Sequence, residues 1–462
     1  MMIMSKKKLT FLFMVGILVT PVGNIFVANV NRHSSDMIQP VEHVYANTLR
    51  PLGSGVMLQA FYWDVPLDWY TEVTQKIPEI AAAGFDNIWL PPPSKTMNGR
   101  YSMGYDPYDY YDLGEYDQKG SIPTRFGTKA DLITLISSAK AAGLHVTADI
   151  VMNHNSGGDS QWNPNTNSYT YTDFSGVASG KFLRGYNDFH PSTYEWADEG
   201  TFGGYPDVAH ANPYVWQEFI NWGIWLRDQI GFTDWRFDYV KGYHGWMVRD
   251  WLTYVGGYGV GEYWDTNLDL LKGWISSTDY KASAFDFPLY YLLRDMSEGG
   301  GYFDMSRLAY AGLAGSDPFH ATTFVANHDT NEIFTMKEMA YAYILLSEGY
   351  PTVFWRDYFD WGFKDAINLL ISLRSGYAGG STSVLYSDND LFIMQRNGYG
   401  SQPGIILMMN DGDTWKGQWV QTKWTNQRLV DATGRAYDEW TNGDGWVEIW
   451  APPRSYTVWI PS

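Results

Sequence analysis

Four short runs place carboxylates, histidines and one arginine at the ends of apolar stretches: Asp149 with Asn153 and His154, Arg236 with Asp238, Glu262 alone, and His328 with Asp329. Between Gly231 and Gly242, Trp235, Phe237 and Tyr239 alternate with Asp234, Arg236 and Asp238. That period of two predicts a strand with a bulky apolar face and a charged face. An arginine and an aspartate on an inward face are costly to bury unless they pair or do chemistry. One histidine or aspartate at a strand end is usually a satisfied structural group. Four such ends in one barrel converge on a single site. The three carboxylates Asp238, Glu262 and Asp329 then allow two chemistries, metal binding for hydrolysis or acid and nucleophile catalysis on an acetal. The acetal reaction needs one carboxylate ionised and another protonated, a split that burial and like-charge neighbours produce. Arg236 is expected to hold Asp238 ionised. Glu262, between apolar and aromatic neighbours, is the candidate for a raised pKa.

These residues need elements to position them. Strands are predicted over 56–63, 85–90, 145–152, 234–239, 259–262, 283–287, 322–327 and 352–355. Helices are predicted over about 69–83, 128–142, 213–230, 245–254 and 336–347. Gly84 and Gly143 act as stops, and Thr128 as a cap. Phe219, Trp222, Leu226 and Ile230 form the apolar stripe of the third helix. Strands alternating with helical segments imply parallel pairing through crossovers. Eight such units fit a closed (β/α)8 TIM barrel, α/β in class, better than an open doubly wound sheet, because no Gly-rich phosphate turn follows an early strand. The stretch 154–212 has no period and reads as a small inserted domain. From residue 379, short alternating runs separated by Gly, Asn and Asp turns predict a C-terminal antiparallel β-sandwich. The expected division is 1–46 leader, 52–153 and 213–378 barrel, 154–212 insertion, and 379–462 sandwich. Trp415, Trp419, Trp424, Trp440, Trp446, Trp450 and Trp459 are expected chiefly as sandwich core, with polysaccharide binding as the alternative.

Composition narrows the function. The 462 residues carry a formal net charge of -19, which disfavours a nucleic-acid partner and suits an uncharged ligand or carboxylates around a cation. With no cysteine, disulfides, thiolate metal sites and a cysteine nucleophile are excluded. Lys6, Lys7 and Lys8 precede an apolar run over 9–22, the pattern of a signal peptide. Cleavage is expected after Ala28 or, with a short propeptide, after Ala46, giving a secreted protein. Nothing later is apolar enough to span a bilayer. Aromatic residues make up 17% of the chain, including 22 Trp and 34 Tyr. Beyond core filling, such rings can serve as stacking platforms for sugar faces.

Taken in order, Asp149-Ile150-Val151-Met152-Asn153-His154, the Arg236-Phe237-Asp238 run, Gly261-Glu262-Tyr263-Trp264-Asp265 and Phe324-Val325-Ala326-Asn327-His328-Asp329 resemble the four conserved regions of the α-amylase family of glycoside hydrolases. The run from Asp198 to Asp207 resembles most closely the branch that includes archaeal amylases. The resemblance covers essentially everything after Leu52. It implies a retaining endo-hydrolase acting on starch and maltooligosaccharides, with Asp238 as nucleophile, Glu262 as general acid/base and Asp329 as the third carboxylate. It further implies that Arg236 orients Asp238, that His154 and His328 bind sugar hydroxyls, that Tyr105 stacks on the sugar, and that Lys241 contacts the leaving-group side. Asp149 matches a supporting position. Tyr62 and Trp264 complete the candidate substrate contacts. A Ca²⁺ ion is implied at Asn153, Asp198, Asp207 and the carbonyls of Gly200 and Gly242, all oxygen donors suited to a hard cation. Where some archaeal relatives carry paired cysteines, this chain has Trp196-Ala197, so a thiolate zinc site is not carried over. A monomer is the expectation for a secreted depolymerase, with no nucleic-acid partner and no membrane attachment after leader cleavage.

Overall fold

The computed structural model describes residues 55–462, so the leader expected over 1–46 lies outside the described residues. The apolar runs pair as eight parallel strands: β1 (Met57–Gln59), β2 (Asn87–Leu90), β3 (His145–Ile150), β4 (Asp234–Phe237), β5 (Gly259–Gly261), β6 (Ser283–Phe285), β7 (Ala321–Phe324) and β8 (Tyr350–Phe354). Each lies beside its neighbours in chain order, and β8 returns to β1 through Met57–Thr352, Leu58–Val353 and Gln59–Phe354 to close the barrel. Among the described residues, eight helices of ten residues or more cross between or follow the strands: α1 (Trp69–Ala82), α2 (Lys129–Ala141), α3 (Pro213–Trp225), α4 (Gly245–Tyr254), α5 (Leu268–Ser277), α6 (Phe287–Glu298), α7 (Lys337–Leu346) and α8 (Lys364–Gly376).

Local chemistry explains several boundaries. Thr128 Oγ1 accepts the Asp131 N–H at 3.2 Å while the Asp131 carboxylate accepts the Thr128 N–H at 2.9 Å. This capping box fixes the start of α2. Helix α3 loosens into a π turn over Leu226–Ile230 and stops at Gly231, whose φ is 105°. Its stripe of Phe219, Trp222, Leu226 and Ile230 is buried as predicted. The apolar face of β4 turns outward: Trp235 and Phe237 meet Trp251 of α4 edge to face at 5.3 and 5.8 Å. Burying each ring contributes about 2–3 kcal/mol, so Trp251→Ala would remove the contact that anchors β4 from outside.

Five predicted strands run two or more residues past their hydrogen-bond ladders, those that stop at Phe237 and Phe285 among them. The first stops at Gln59 and the seventh at Phe324, four and three residues early, and the third stops at Ile150. The first residues beyond remain buried, Phe61, Val325 and Ala326 among them. Apolar continuity therefore reports packing at the barrel mouth there, not strand pairing. In the eighth unit the strand begins two residues earlier than predicted, and Trp355 opens a one-turn helix.

Residues 151–212 between β3 and α3 hold a hairpin of Asp159–Asn163 and Ser168–Asp173. After α8 the chain forms β9 (Thr382–Ser387), β10 (Leu391–Arg396), β11 (Ile405–Asn410), β12 (Lys416–Gln421), β13 (Arg428–Asp431), β14 (Glu439–Trp440), β15 (Trp446–Ala451) and β16 (Ser455–Pro461). Six form one sheet in the order β9-β10-β11-β16-β13-β14, and β12 pairs with β15 as a separate ribbon. Leu391, Ile393, Ile406, Met408, Val420, Val447, Ile449 and Trp459 pack between the two. The tryptophans depart from expectation. Trp459 is core and Trp424 packs at its edge. Trp415, Trp419, Trp440, Trp446 and Trp450 are exposed, by 51, 55, 66, 41 and 38%. On the ribbon, valine, isoleucine and alanine take the inward positions, and the alternation sends the indoles outward.

Candidate active site

Arg236 lies at the centre of the barrel mouth with its side chain wholly buried. Its Nη1 is 2.7 Å from Asp149 Oδ1 and 2.7 Å from Asp238 Oδ1, and its Nη2 is 2.7 Å from Glu262 Oε1. The first two are aligned hydrogen bonds. The third is a close ion pair in which neither atom has an aligned partner. Residues on three consecutive strands, β3, β4 and the end of β5, thus meet on one guanidinium, whose planar fork suits several carboxylates at once. Tyr239 directs the backbone. It adopts φ 44° although it is not glycine, and its N–H donates to Glu262 Oε2 at 3.2 Å. A strained residue between nucleophile candidate and acid candidate is the kind of outlier that functional sites retain. Gly261, just before Glu262, has no room for a side chain: a Cβ would lie 2.1 Å from the Trp274 ring.

One cation shared by three buried carboxylates leaves surplus negative charge, and protonation answers it. Burial pushes Glu262 up to about 8, with Asp238 and Asp329 adding to the rise and Arg236 opposing it. Burial also raises Asp149, against the pull of Arg236. Asp329, on the loop after β7, rises to about 6 through burial and the Asp238 charge, with Arg236 again opposing. A carboxylic acid that keeps its proton at neutral pH, next to a second carboxyl group on the same guanidinium, is what acetal cleavage requires.

An aromatic wall stands beside these carboxyls. Tyr105 stacks on His328 with ring centroids 5.3 Å apart and 10° between planes, and Trp63 stacks on both at 5.8 and 5.9 Å. A hydrogen-bond chain orders it. Tyr105 Oη donates to Asp149 Oδ2 at 2.9 Å and lies 2.7 Å from His328 Nε2, while the Gln59 side-chain amide lies 2.8 Å from His328 Nδ1. Because the tyrosine proton goes to Asp149, His328 Nε2 must carry the ring proton and Nδ1 must accept. Burial, then the nearby Arg236 charge, pushes His328 well below its usual range and keeps it neutral. Its Nε2 is also 3.1 Å from Asp329 Oδ2.

The remaining expected contacts are spread more widely. Lys241 Nζ binds Asp265 Oδ2 at 2.8 Å and the Trp264 carbonyl at 3.2 Å. Trp264 stacks on Phe287 at 4.7 Å and donates Nε1–H to Tyr291 at 2.8 Å. His154 stacks against both Phe202 and Tyr205, at 4.8 and 5.3 Å, with Nε2 on the Tyr105 carbonyl at 2.8 Å. It braces the loop carrying Tyr105. Tyr62 does not join the wall. It packs edge-on to Trp69 at 5.4 Å with the Arg356 guanidinium 5.0 Å above it, and its neighbour Trp63 faces the carboxyl groups' side. The chain leaves the ladder after Gln59, so strand parity no longer says which of the two rings points inward. Trp63, Gln59 and Trp89, which donates to Asp149 Oδ2 at 3.1 Å, carry no sequence signal beyond their closeness to predicted strand ends.

The predicted cation ligands gather where the insertion returns to the barrel. Asn153 is fully buried and neither side-chain atom has a hydrogen-bond partner, and one oxygen each of Asp198 and Asp207 is likewise buried and unpartnered. The Gly242 backbone lies against Asn153, since a Cβ on it would stand 1.9 Å from Asn153 Oδ1. Gly200 donates its N–H to the Gly242 carbonyl at 3.2 Å. Orphaned buried oxygens from both parts of the chain, two of them carboxylate, fit a hard divalent cation. Next to them His190 Nδ1 lies 2.9 Å from Asp207 and 3.7 Å from Asp198, and its Nε2 lies 3.2 Å from Glu195. Burial opposes protonation of His190, but the Asp207 hydrogen bond and the neighbouring carboxylates outweigh it and raise its pKa. The insertion has no period, so nothing in the sequence placed His190 or Glu195 here.

Residues 70–350 match the family model described as "Alpha amylase, catalytic domain", and residues 405–460 match "Alpha-amylase C-terminal". The chain is 31% identical to an "Alpha-amylase" of Geobacillus stearothermophilus over 88% of this chain and 87% of that protein. It is 29% identical to a "Glucan 1,4-alpha-maltohexaosidase" of Bacillus sp. (strain 707) over 88% and 92%. The fold matches that of the α-amylase of Geobacillus thermoleovorans, solved in complex with acarbose, with a TM-score of 0.68 and 19% identity over 89% of this chain and 99% of the other. The carboxyl groups on Arg236 therefore sit in a catalytic domain of known kind, and the chain belongs to the α-amylase family of glycoside hydrolases.

Proposed function

We propose that this chain is a secreted, endo-acting α-amylase that hydrolyses internal α-1,4-glucosidic bonds of starch and related glucans with retention of anomeric configuration. The observation that carries this reading is the single buried guanidinium contacting both Asp238 and Glu262, with Asp329 alongside. In the first step an Asp238 oxygen attacks the anomeric carbon while Glu262 gives its proton to the glycosidic oxygen. The bond to Asp238 forms, the glycosidic C–O bond breaks, and the leaving chain departs as an alcohol. In the second step Glu262, now a carboxylate, takes a proton from water. The water oxygen bonds to the anomeric carbon and Asp238 is released as a carboxylate. Asp329 accepts hydrogen bonds from sugar hydroxyls, His328 shares its Nε2–H between Tyr105 Oη and the sugar, and Trp63 with Tyr105 offers a flat face to the ring. Lys241 and Trp264 lie toward the leaving-group side.

Asn153, Asp198, Asp207 and the carbonyls of Gly200 and Gly242 would hold a Ca²⁺ ion. Bound there, it would tie the insertion to the barrel and neutralise two buried aspartates. The proposed division is barrel over 52–153 and 213–378, insertion over 154–212 and sandwich over 379–462. Secretion rests on the lysines and apolar run at the N-terminus, and the protein is proposed to act as a monomer. Digestion of starch followed by iodine staining and chromatography tests the whole reading. Rapid loss of colour with short maltooligosaccharides is the expected result. Products longer than a maltooligosaccharide substrate would identify an α-glucan transglycosylase instead, and binding without turnover a non-catalytic glucan-binding protein.

A further inference from the structure

The outer face of the β12–β15 ribbon carries aromatic rings that the catalytic reading does not use. Trp446 and Trp450 project from β15 four residues apart, about 13 Å along the strand. Trp419 of β12 lies directly opposite Glu448, between them and on the same face. Val420, Val447, Ile449 and Ala451 point the other way into the core. Trp450 is opposite Gly417, and a Cβ on that glycine would stand 2.5, 2.6 and 2.7 Å from three atoms of the indole. Three near-equal distances mean that the ring lies flat over the glycine, so its other face is presented outward. Beside it Trp415, Tyr437 and Trp450 line a cavity of about 600 Å³ together with Arg435 and Glu439.

The polar groups there select among ligands. Arg435 is committed, donating to Glu338 Oε2 at 3.0 Å and to the Tyr456 carbonyl at 3.1 Å. Glu439 is raised by burial and then by the charges of Glu448 and Asp438; Asp438 is paired with Arg428, so the carboxylates left beside the rings are Glu439 and Glu448. A phosphate-bearing or otherwise anionic partner is repelled. Flat apolar rings edged by hydrogen-bond acceptors match a neutral pyranose, which has an apolar C–H face and a rim of hydroxyl donors. A patch of this kind on a charged chain marks a binding surface.

We propose that this ribbon is a second glucan-binding site, separate from the catalytic mouth, that holds a stretch of α-1,4-glucan chain on Trp446, Trp419 and Trp450. The choice of ligand rests on the α-amylase reading above. The test uses the full-length chain. Migration through a native gel containing soluble starch is measured in an Asp238→Asn background, which leaves the starch intact. Turnover of soluble maltoheptaose is measured with Asp238 present. Trp419→Ala with Trp450→Ala is expected to weaken starch affinity about tenfold, while maltoheptaose turnover and melting temperature hold. Trp450→Phe, which keeps a flat ring, is expected to retain most of the affinity. If the double variant is destabilised, Trp419→Ala and Trp446→Ala each carry the test through rings exposed by 55 and 41%. Unchanged retardation in the folded variants would overturn the site. So would a change in sedimentation with retardation unchanged, which would make the face a contact for a second copy of the chain. Retardation of a chain that never turns over maltoheptaose would refute the catalytic reading while leaving this one standing.

Discussion

Glu262→Gln should abolish activity and stabilise the protein, and the stabilisation should depend on pH in a defined direction. Folded Glu262 is pushed up to about 8, first by burial and then by Asp238 and Asp329, whereas an unfolded glutamate titrates near about 4.3. A raised folded pKa means that stability is fully present below the unfolded value and is lost as pH rises toward the folded one. Between those limits the unfolded chain releases a proton that the folded chain keeps, at about 1.4 kcal/mol per pH unit. At pH 7 the cost is about 4 kcal/mol, a ceiling because Arg236 is shared with Asp149 and Asp238. Glutamine is neutral at every pH and similar in shape. Both Glu262 oxygens face donors, Arg236 Nη2 and the Tyr239 N–H. The protonated acid already sets one proton against a donor, and the amide repeats that arrangement. Thermal melts of both proteins at pH 4 and pH 7 make the comparison. The variant is expected to match wild type at pH 4 and to melt several degrees higher at pH 7. The wild-type rate should fall on the alkaline side as Glu262 loses its proton, above the ordinary carboxylate range. A variant equally or less stable at pH 7, by an amount that does not change with pH, would refute the assignment of a buried, protonated acid.

Two other perturbations probe separate parts of the account. Gly242→Ala should drive its Cβ into Asn153, lowering the melting temperature by about 5 °C or more and removing the further drop that EGTA produces in wild type; a wild-type melt indifferent to EGTA would contradict the structural cation. Trp63→Ala removes one ring of the wall at a position 48% exposed, so kcat/KM on maltooligosaccharides should fall about tenfold while the melting temperature moves by about 1 °C at most.

Legibility followed regularity. The Arg236 and Asp238 pairing was readable because β4 holds a strict period of two, and Trp235 and Phe237 do face away from them onto Trp251. Glu262 and Asp329 were readable because each follows an apolar run that ends at the barrel mouth. The choice between Tyr62 and Trp63 was not readable, because backbone pairing stops at Gln59 while burial continues through Phe61. His190 and Glu195 approach Asp198 across loops with no repeat to count. The sandwich tryptophans misled for another reason. Large aromatic side chains suggest burial, but Val420, Val447 and Ile449 already fill the inward positions of the ribbon.

The central claim is that Asp238 and Glu262 act from one guanidinium on the same anomeric carbon, the first by bonding to it and the second by moving the proton. Incubation with a fluorinated maltosyl fluoride that slows breakdown of the covalent species, then proteolysis and mass spectrometry, tests it most directly. The expected result is one sugar adduct, confined to the peptide bearing Asp238, with α-anomeric sugar released on turnover. An adduct on Glu262 or Asp329, or no adduct together with release of the β-anomer, would contradict it.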